Sequence, residues 1–353
     1  MNEYKTEFIN DHTLKFDSYI LGIDIGGTHT NLCVAGIENN NIDFLFKFNF
    51  KTEELDNIIN PINKILNHIK EKYNIEIKKA CIGVPGVVSE DNNYAELTNI
   101  SWNLLKEDII KKTNLEKILL LNDFQCIGFG LNVLNDKDII EIKSGKIVNN
   151  KTKAIVGAGS GLGKTILFFN KKLRIYIPLD SEGGHADFPV YDSFELDLIN
   201  WLKGKYNIKE KVTYEDLLSG KGLENIYNYI SEKMDFKKNE YYYEIKNSKE
   251  KASIISKYKE TDDACKKTFE LFLKFYARCL KNFALETLCT SGLYIAGGIS
   301  IKNKDIFKKE IFKKEFESAY KKNKILKEIP IYLINNYDVS IFGACIAGNH
   351  LIK

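Results

Sequence analysis

Two short glycine-tipped segments constrain this chain more than anything else in it. The stretch "YILGIDIGGTHTNLCVAGI" (19–37) alternates apolar with small or polar residues on both sides of Gly26-Gly27, which predicts a strand, a tight turn and a strand. The stretch "TKAIVGAGSGLGKTILFF" (152–169) repeats that plan around Gly159, Ser160 and Gly161. The second segment invites two other readings and fits neither. A Walker A loop needs Gly five residues before its last Gly, where Ala158 stands. The pattern GxGxxG fails in both registers, because Leu162 or Lys164 falls at the third Gly. A Walker A loop must also run into a helix whose N-terminal amides help hold phosphate. Here "TILFFNKKLRIYIPL" is β-branched and aromatic and predicts strands instead. Two such hairpins, each opening an α/β half, suit two facing domains with phosphate between them.

The segments between the hairpins agree with that plan. "ELDNIINPINKILNHIKEKY" has helical spacing, with Pro61 marking a start or a kink. "KKACIGVPGVV" and "LEKILLLNDF" read as buried strands, and "QCIGFGLNVL" begins a helix. "DDACKKTFELFLKFYARCLKNFALETL" carries an apolar stripe through Phe269, Phe272, Tyr276, Cys279 and Phe283, the mark of a long core-packing helix. It feeds "SGLYIAGGIS", a strand ending in Gly297-Gly298. "IPIYLI" is a last strand and "SIFGACIAGNHL" a last helix. A chain of 353 residues exceeds one compact core. The expectation is α/β with mixed sheets, one smaller domain from 1–133 plus 337–353 and a larger one from 134–336. The Lys-, Glu- and Tyr-rich stretch 231–263 reads as a surface insertion, and about eighteen residues precede the first expected strand.

Composition then removes some function classes. The net charge is only +3, and Arg174 and Arg278 are the only arginines. Base readout and phosphate clamps lean on the bidentate guanidinium, so nucleic acid is not expected as a partner. The seven cysteines include no CxxC, and their odd number argues against a disulfide framework. Reduced thiols in the cytoplasm are expected. The polar N-terminal stretch has no signal-peptide core, and no apolar run approaches a membrane span.

Taken in order, "GIDIGGTHTNL", "TNISW", "LLLNDF", "GAGSGLG", "SEGGHADF", "EDLLSGKGLENIY", "GLYIAGGIS" and "IPIYLI" resemble the bacterial-type glucokinases, within the actin and sugar-kinase superfamily. The resemblance runs from about Ile20 to the C-terminus. The related ROK sugar kinases and repressors carry a Cys-rich zinc motif after their His, and this chain has none. Ser160 stands where Thr is usual, Lys164 where an apolar residue is commoner, and His29 where Asn or Ser is more usual. The resemblance implies a two-domain actin-like ATPase (ribonuclease H-like) fold with a central cleft. It implies phosphorylation of D-glucose by ATP with Mg²⁺ to glucose 6-phosphate, the first step of glycolysis. It also implies a homodimer.

Phosphoryl transfer to a sugar hydroxyl needs backbone amides around phosphates, a divalent metal, an in-line hydroxyl and a carboxylate to take its proton. Glycine turns supply the amides. The expected nucleotide-binding residues are Asp24, Ile25, Gly26, Gly27 and Thr28 in the first hairpin and Gly159, Ser160 and Gly161 in the second. Gly297 and Gly298 match the family's adenosine-contacting segment. A side chain at Gly161 is expected to fill space the phosphates need and to leave sugar binding nearly intact. Lys164 would add a favourable but dispensable charge. Asp24 lies inside an apolar strand, where a carboxylate is costly unless paired or near a metal. Orienting the Mg²⁺ hydration shell is one reading, and a hydrogen bond to the adjacent turn is the other.

Asp123 ends the apolar run "ILLLN". By resemblance it is the general base on the sugar's 6-hydroxyl, with Asn99 and Asn122 binding the sugar. An Asn-Asp helix cap fits the same local sequence. Glu182, His185 and Glu215 match the family's sugar-contacting positions. His185 has no second His or Cys at ligand spacing. Glu215, before an apolar pair, would otherwise decorate a helix start. Rival readings are a kinase for another hexose and a non-catalytic sugar sensor on the same fold.

Overall fold

The chain folds as two units. The computed structural model of the protein describes residues 5–8, as backbone, and 15–352. The first unit groups Met1–Asn135 with Phe169–Asp180 and Asn336–Lys353, and the second groups Asp136–Phe168 with Ser181–Asn335. Phe169–Asp180 thus groups with the first unit, although it lies inside the 134–336 stretch. That segment is held within the first unit by Asn132, whose side-chain amide donates to the Tyr176 carbonyl (2.9 Å) and whose side-chain oxygen accepts from the Tyr176 amide (2.7 Å).

The first unit contains β1 (Lys5–Phe8), β2 (Ser18–Ile25), β3 (His29–Glu38), β4 (Asn41–Lys51), α1 (Ile59–Tyr73), β5 (Lys79–Val84), β6 (Gly86–Val88), β7 (Tyr94–Leu97), β8 (Leu104–Leu105), α2 (Lys106–Lys112), β9 (Lys117–Asn122) and α3 (Asp123–Gly130), and closes with α12 (Val339–Leu351). Its main sheet runs β1-β4-β3-β2-β5-β9. The pairs β1/β4, β4/β3 and β3/β2 are antiparallel, while β2/β5 and β5/β9 are parallel. The first strand is thus β1, ahead of the hairpin where the sequence pattern begins. The rest of the polar N-terminal stretch, 1–4 and 9–14, lies outside the described residues.

The period of two along β2 assigns its faces. Leu21, Ile23 and Ile25 enter a core with Ile62, Ile65 and Ile69 of α1. Ile20 enters a second core with Ile341 and Cys345 of α12. Gly22 lets α12 approach, since a Cβ there would lie 2.4 Å from the Cys345 sulfur. Asp24, two residues on, falls on this same α12 face. Helices α3 and α12 meet as closely: a Cβ on Gly343 would lie 1.7 Å from the Cys126 carbonyl oxygen, and one on Gly130 2.1 Å from that of Val339. Bare glycine contacts fix α3, whose first residue is Asp123.

The second unit contains β10 (Ile139–Lys143), β11 (Lys153–Ala158) and β12 (Leu162–Asn170, whose last two residues fall in the first unit, which also holds β13, Ile175–Leu179), then α4 (Ser193–Tyr206), α5 (Gly220–Lys233), α6 (Glu240–Asn247), α7 (Lys251–Lys257), α8 (Asp263–Thr287), β14 (Leu293–Ala296), α9 (Gly298–Lys302), α10 (Glu310–Glu317), α11 (Asn323–Glu328) and β15 (Ile331–Ile334). Within this unit the strands run β10-β15-β14-β11-β12, with β11, β14 and β15 parallel and the β10/β15 and β11/β12 pairs antiparallel. The stripe on α8 is the core: Phe272, Tyr276, Cys279 and Leu280 are fully buried, and the Tyr276 hydroxyl donates to the Val156 carbonyl (3.0 Å). The stretch 231–263 is more than surface decoration. It forms α6 and α7, whose Ile245 and Ile255 are buried in the core of this unit.

All seven cysteines are free and buried. Among the described residues, no helix is long and apolar enough to cross a membrane.

Candidate active site

Each unit carries one glycine hairpin and one group of the polar residues expected to meet a sugar. In the first unit, β2 and β3 pair in register from Ser18↔Ile37 to Ile25↔Thr30. Beyond that pair the chain turns through Gly26, Gly27 and Thr28. The Gly26 amide donates to the His29 carbonyl (2.9 Å), which leaves the Gly27 and Thr28 amides at an exposed tip. Thr52 fixes the tip from below: its amide donates to the Thr28 carbonyl (2.9 Å) and its hydroxyl to the Gly26 carbonyl (2.7 Å). A Cβ at Gly27 would meet nothing within 4 Å. The Ile25 side chain is buried in the core, so only its backbone is available to a ligand.

Asp24 does not bond the adjacent turn. Its Oδ1 accepts from the Ser340 hydroxyl (2.7 Å), 316 residues along the chain. Opposite it in the ladder stands Asn31, oriented by Asn49, whose side-chain amide donates to the Asn31 side-chain oxygen (2.7 Å). Burial raises the Asp24 carboxyl above its ordinary value, hydrogen bonds from Ser340 and Asn31 pull it back, and nearby Asp338 adds to the rise. Neither Ser340 nor Thr52 carries a sequence signal, since both act only through the long-range fold. Among the described residues no cluster of three or more His, Cys, Asp or Glu could hold a metal. A lone carboxylate suits Mg²⁺, which keeps most of its water and binds through one or two carboxylates plus substrate phosphates.

Asn122 ends β9 and Asp123 begins α3. The helix cap is Asn122: its side-chain oxygen accepts from the Phe124 amide (2.9 Å), and its own amide donates to the Gln125 side chain (3.1 Å). This capping box was legible as Asn-x-x-Gln. The Asn122 side-chain amide also donates to the Gly86 carbonyl (3.1 Å), so only part of that side chain remains for a sugar. Asp123 is half-buried in the first turn, and its Oδ1 accepts from the Phe124 amide (2.9 Å). Asn99 is exposed and left-handed, with φ 60°. It follows Thr98, whose amide donates to the Pro85 carbonyl (2.7 Å).

In the second unit β11 and β12 pair in register from Lys153↔Leu167 to Ala158↔Leu162. Strand follows the glycines, as the aromatic and β-branched sequence requires. The Gly159 amide donates to the Gly161 carbonyl (2.8 Å), leaving the Ser160 and Gly161 amides at the tip. A Cβ on Gly159 would meet nothing within 4 Å. A Cβ on Gly161 would lie 2.4 Å from the Glu215 carboxylate, so a side chain there strikes Glu215 first.

Lys164 does not place its charge at the tip. It is 4% exposed and turned away from the tip, with its ammonium over the rings of Tyr214 (4.4 Å) and Phe283 (5.3 Å). Alternation explains this: two residues after the buried Leu162, Lys164 shares its core face.

Glu182 and His185 sit on one exposed turn, where the His185 amide donates to the Glu182 carbonyl (3.0 Å) and the His185 Nε2 lies 3.8 Å from a Glu182 carboxylate oxygen. Glu215 does not decorate a helix start, because α5 begins at Gly220 behind the Ser219 cap. It is half-buried, and its Oε2 accepts from the Leu162 amide (2.7 Å). Gly297 has φ 90°, and a Cβ there would lie 2.3 Å from the Ala158 carbonyl oxygen. Its identity therefore reflects packing behind the hairpin. Gly298 opens α9 with free space at its Cβ.

The glucokinase family model matches residues 21–351. A glucokinase from a Nostoc species is 30% identical over 346 residues, covering 94% of this chain and 99% of that one. A crystal structure of glucokinase from an Antarctic psychrotroph superposes with a TM-score of 0.78 at 21% identity, over 95% of this chain and 100% of that one. A glucokinase from Balamuthia mandrillaris, solved in complex with glucose, superposes with a TM-score of 0.74 at 22% identity, over 94% and 93%. These two likenesses carry the fold, which is that of the actin-like ATPases.

Proposed function

The chain belongs to the glucokinase family, whose reaction is ATP-dependent phosphorylation of glucose, and from that premise we propose which of its residues carry the reaction. Asp123 is the general base on the glucose 6-hydroxyl. The observation that carries this is its position: first residue of a helix whose cap is already supplied by Asn122, so the Asp123 carboxylate is not needed as the cap. A sugar hydroxyl is a poor nucleophile at neutral pH, and its proton must leave as the bond to phosphorus forms. A carboxylate in reach both aims the hydroxyl and accepts that proton.

The residues proposed to bind glucose are Asn99, Asn122, Asp123, Glu182, His185 and Glu215. Carboxylates accept from vicinal hydroxyls, and an imidazole can donate or accept. ATP phosphates are held by the backbone of Asp24 to Thr28 and of Gly159 to Gly161, and the adenosine by Gly297 and Gly298. Mg²⁺ supplies neutralisation of phosphate charge, and Asp24 serves it through water. A cytoplasmic location and a homodimer complete the proposal.

The test is a coupled assay of the purified chain with ATP and Mg²⁺ over glucose, mannose, fructose and N-acetylhexosamines. The expected result is turnover with the highest kcat/KM on glucose. Preference for another hexose would assign that sugar instead, and sugar binding without turnover would make the chain a sensor.

A further inference from the structure

The sugar-type residues and the phosphate-type hairpin of the second unit share one carboxylate. Oε2 of Glu215 accepts from the amide of Leu162, the first residue after the tip (2.7 Å). The same oxygen stands where a Cβ of Gly161 would be, 2.4 Å away. The Glu215 amide donates to the carbonyl of Gly184 (3.0 Å), inside the turn that carries Glu182 and His185. Gly184 is itself pressed on the hairpin, since a Cβ there would lie 1.8 Å from the Leu162 carbonyl oxygen. The loop closes at the far side, where the Gly220 amide donates to the Gly159 carbonyl (2.9 Å) and the Ser219 hydroxyl to the Glu215 carbonyl (2.8 Å).

We propose that Glu215 is a positioning residue that couples sugar occupancy to the order of the phosphate hairpin. The proposal rests on the reading that Glu215 faces glucose and Gly159–Gly161 face the nucleotide phosphates. One carboxylate oxygen holds the hairpin amide, and Oε1 remains for a sugar hydroxyl. A hydroxyl bonded to Oε1 restricts rotation of the Glu215 side chain and so restricts Leu162 and the tip beside it. A nucleotide then binds a hairpin that is already ordered, and the ordering need not be repeated. Linkage makes this reciprocal: nucleotide must tighten sugar by the same factor.

The glycines provide the test, because their Cβ directions differ. Gly161→Ala pushes on Glu215, while Gly159→Ala meets nothing within 4 Å. Glucose and a non-hydrolysable ATP analogue with Mg²⁺ are titrated calorimetrically, each alone and in the presence of the other. The wild type should bind the analogue about tenfold tighter with glucose than without. Gly161→Ala, a hairpin substitution, should weaken glucose about fivefold or more in the absence of nucleotide, and Gly159→Ala should not. Glu215→Gln keeps an oxygen for the Leu162 amide but not the charge. It should bind the analogue alone as the wild type does, bind glucose more weakly and lose most of the coupling factor.

Equal glucose affinities for Gly161→Ala and Gly159→Ala would overturn the coupling. If Gly161→Ala does not fold, an undiminished coupling factor in Glu215→Gln overturns it. An active wild type that binds glucose and the analogue independently, or whose Glu215→Gln variant keeps the full coupling factor, sinks only this inference, whereas a wild type that neither binds nor phosphorylates glucose takes the underlying reading with it.

Discussion

The hairpins β2–β3 and β11–β12 follow one local plan and are braced in opposite ways. In each, the amide of the first tip glycine closes the turn, and the next two amides remain at the tip. The β2–β3 tip rests on Thr52, and its strand carries a carboxylate, Asp24, hydrogen-bonded by Ser340. The β11–β12 strands carry no carboxylate. Its tip is braced by Glu215 against Leu162, by Gly220 against Gly159 and by Gly297 packed on Ala158. One hairpin thus brings its own charge, while the other borrows charge from a residue fifty-three positions away along the chain. What a glycine turn can do depends less on its sequence than on what holds it.

Asp123 belongs to neither hairpin and sets the scale for substitutions in both. Asp123→Asn keeps the shape but cannot take the proton, so kcat should fall roughly 10²–10⁴-fold while glucose still binds, although more weakly. Steady-state kinetics with a glucose titration checks this. A near-wild-type kcat would move the base elsewhere, with Glu182 the first candidate.

Asp24→Asn comes next. Loss of an outer-sphere carboxylate should reduce kcat/KM for ATP roughly 10–100-fold. Stability should move the other way. The folded carboxyl holds its proton at higher pH than the unfolded one, whose value is 3.8. The ionised form therefore costs stability at neutral pH, and that cost fades as pH falls toward 3.8. The variant should melt higher than the wild type at pH 7.5, with the difference shrinking on acidification. Calorimetry at two pH values reads it, and a lower melting temperature at pH 7.5 would show that Asp24 is net stabilising.

Gly159→Ala should be milder. Obstructing close approach at one tip amide loses about one hydrogen bond, roughly 1 kcal/mol or fivefold in KM for ATP, with glucose affinity unchanged. Lys164→Met should be the smallest. A buried cation replaced by an apolar residue of similar length is often neutral or stabilising, so kinetics should stay within about twofold of wild type and melting should not fall. Loss of activity in Lys164→Met would give that ammonium a role its place over Tyr214 and Phe283 does not suggest.

Much of this was legible in the chain itself. Strand alternation and glycine placement gave both hairpins, the apolar stripe gave α8, and the aromatic run after Gly163 excluded a phosphate loop entering a helix. What was not legible depends on distant partners. Ser340 meets Asp24 only because α12 packs at Gly22. Glu215 reads as a helix-start residue until the hairpin amide is seen beside it. Lys164 looked like tip charge because its position after "GLG" hides its facing. The stretch 231–263 looked like decoration because its fully buried core residues, Ile245 and Ile255, stand among many polar ones.

The division of labour between the hairpins is tested most directly by the Mg²⁺ dependence of glucose phosphorylation at fixed ATP. Asp24→Asn should need a markedly higher Mg²⁺ concentration for half-maximal rate, whereas Gly159→Ala should keep the wild-type Mg²⁺ midpoint while requiring more ATP. Equal Mg²⁺ midpoints for Asp24→Asn and the wild type, or a shifted midpoint for Gly159→Ala, would contradict it.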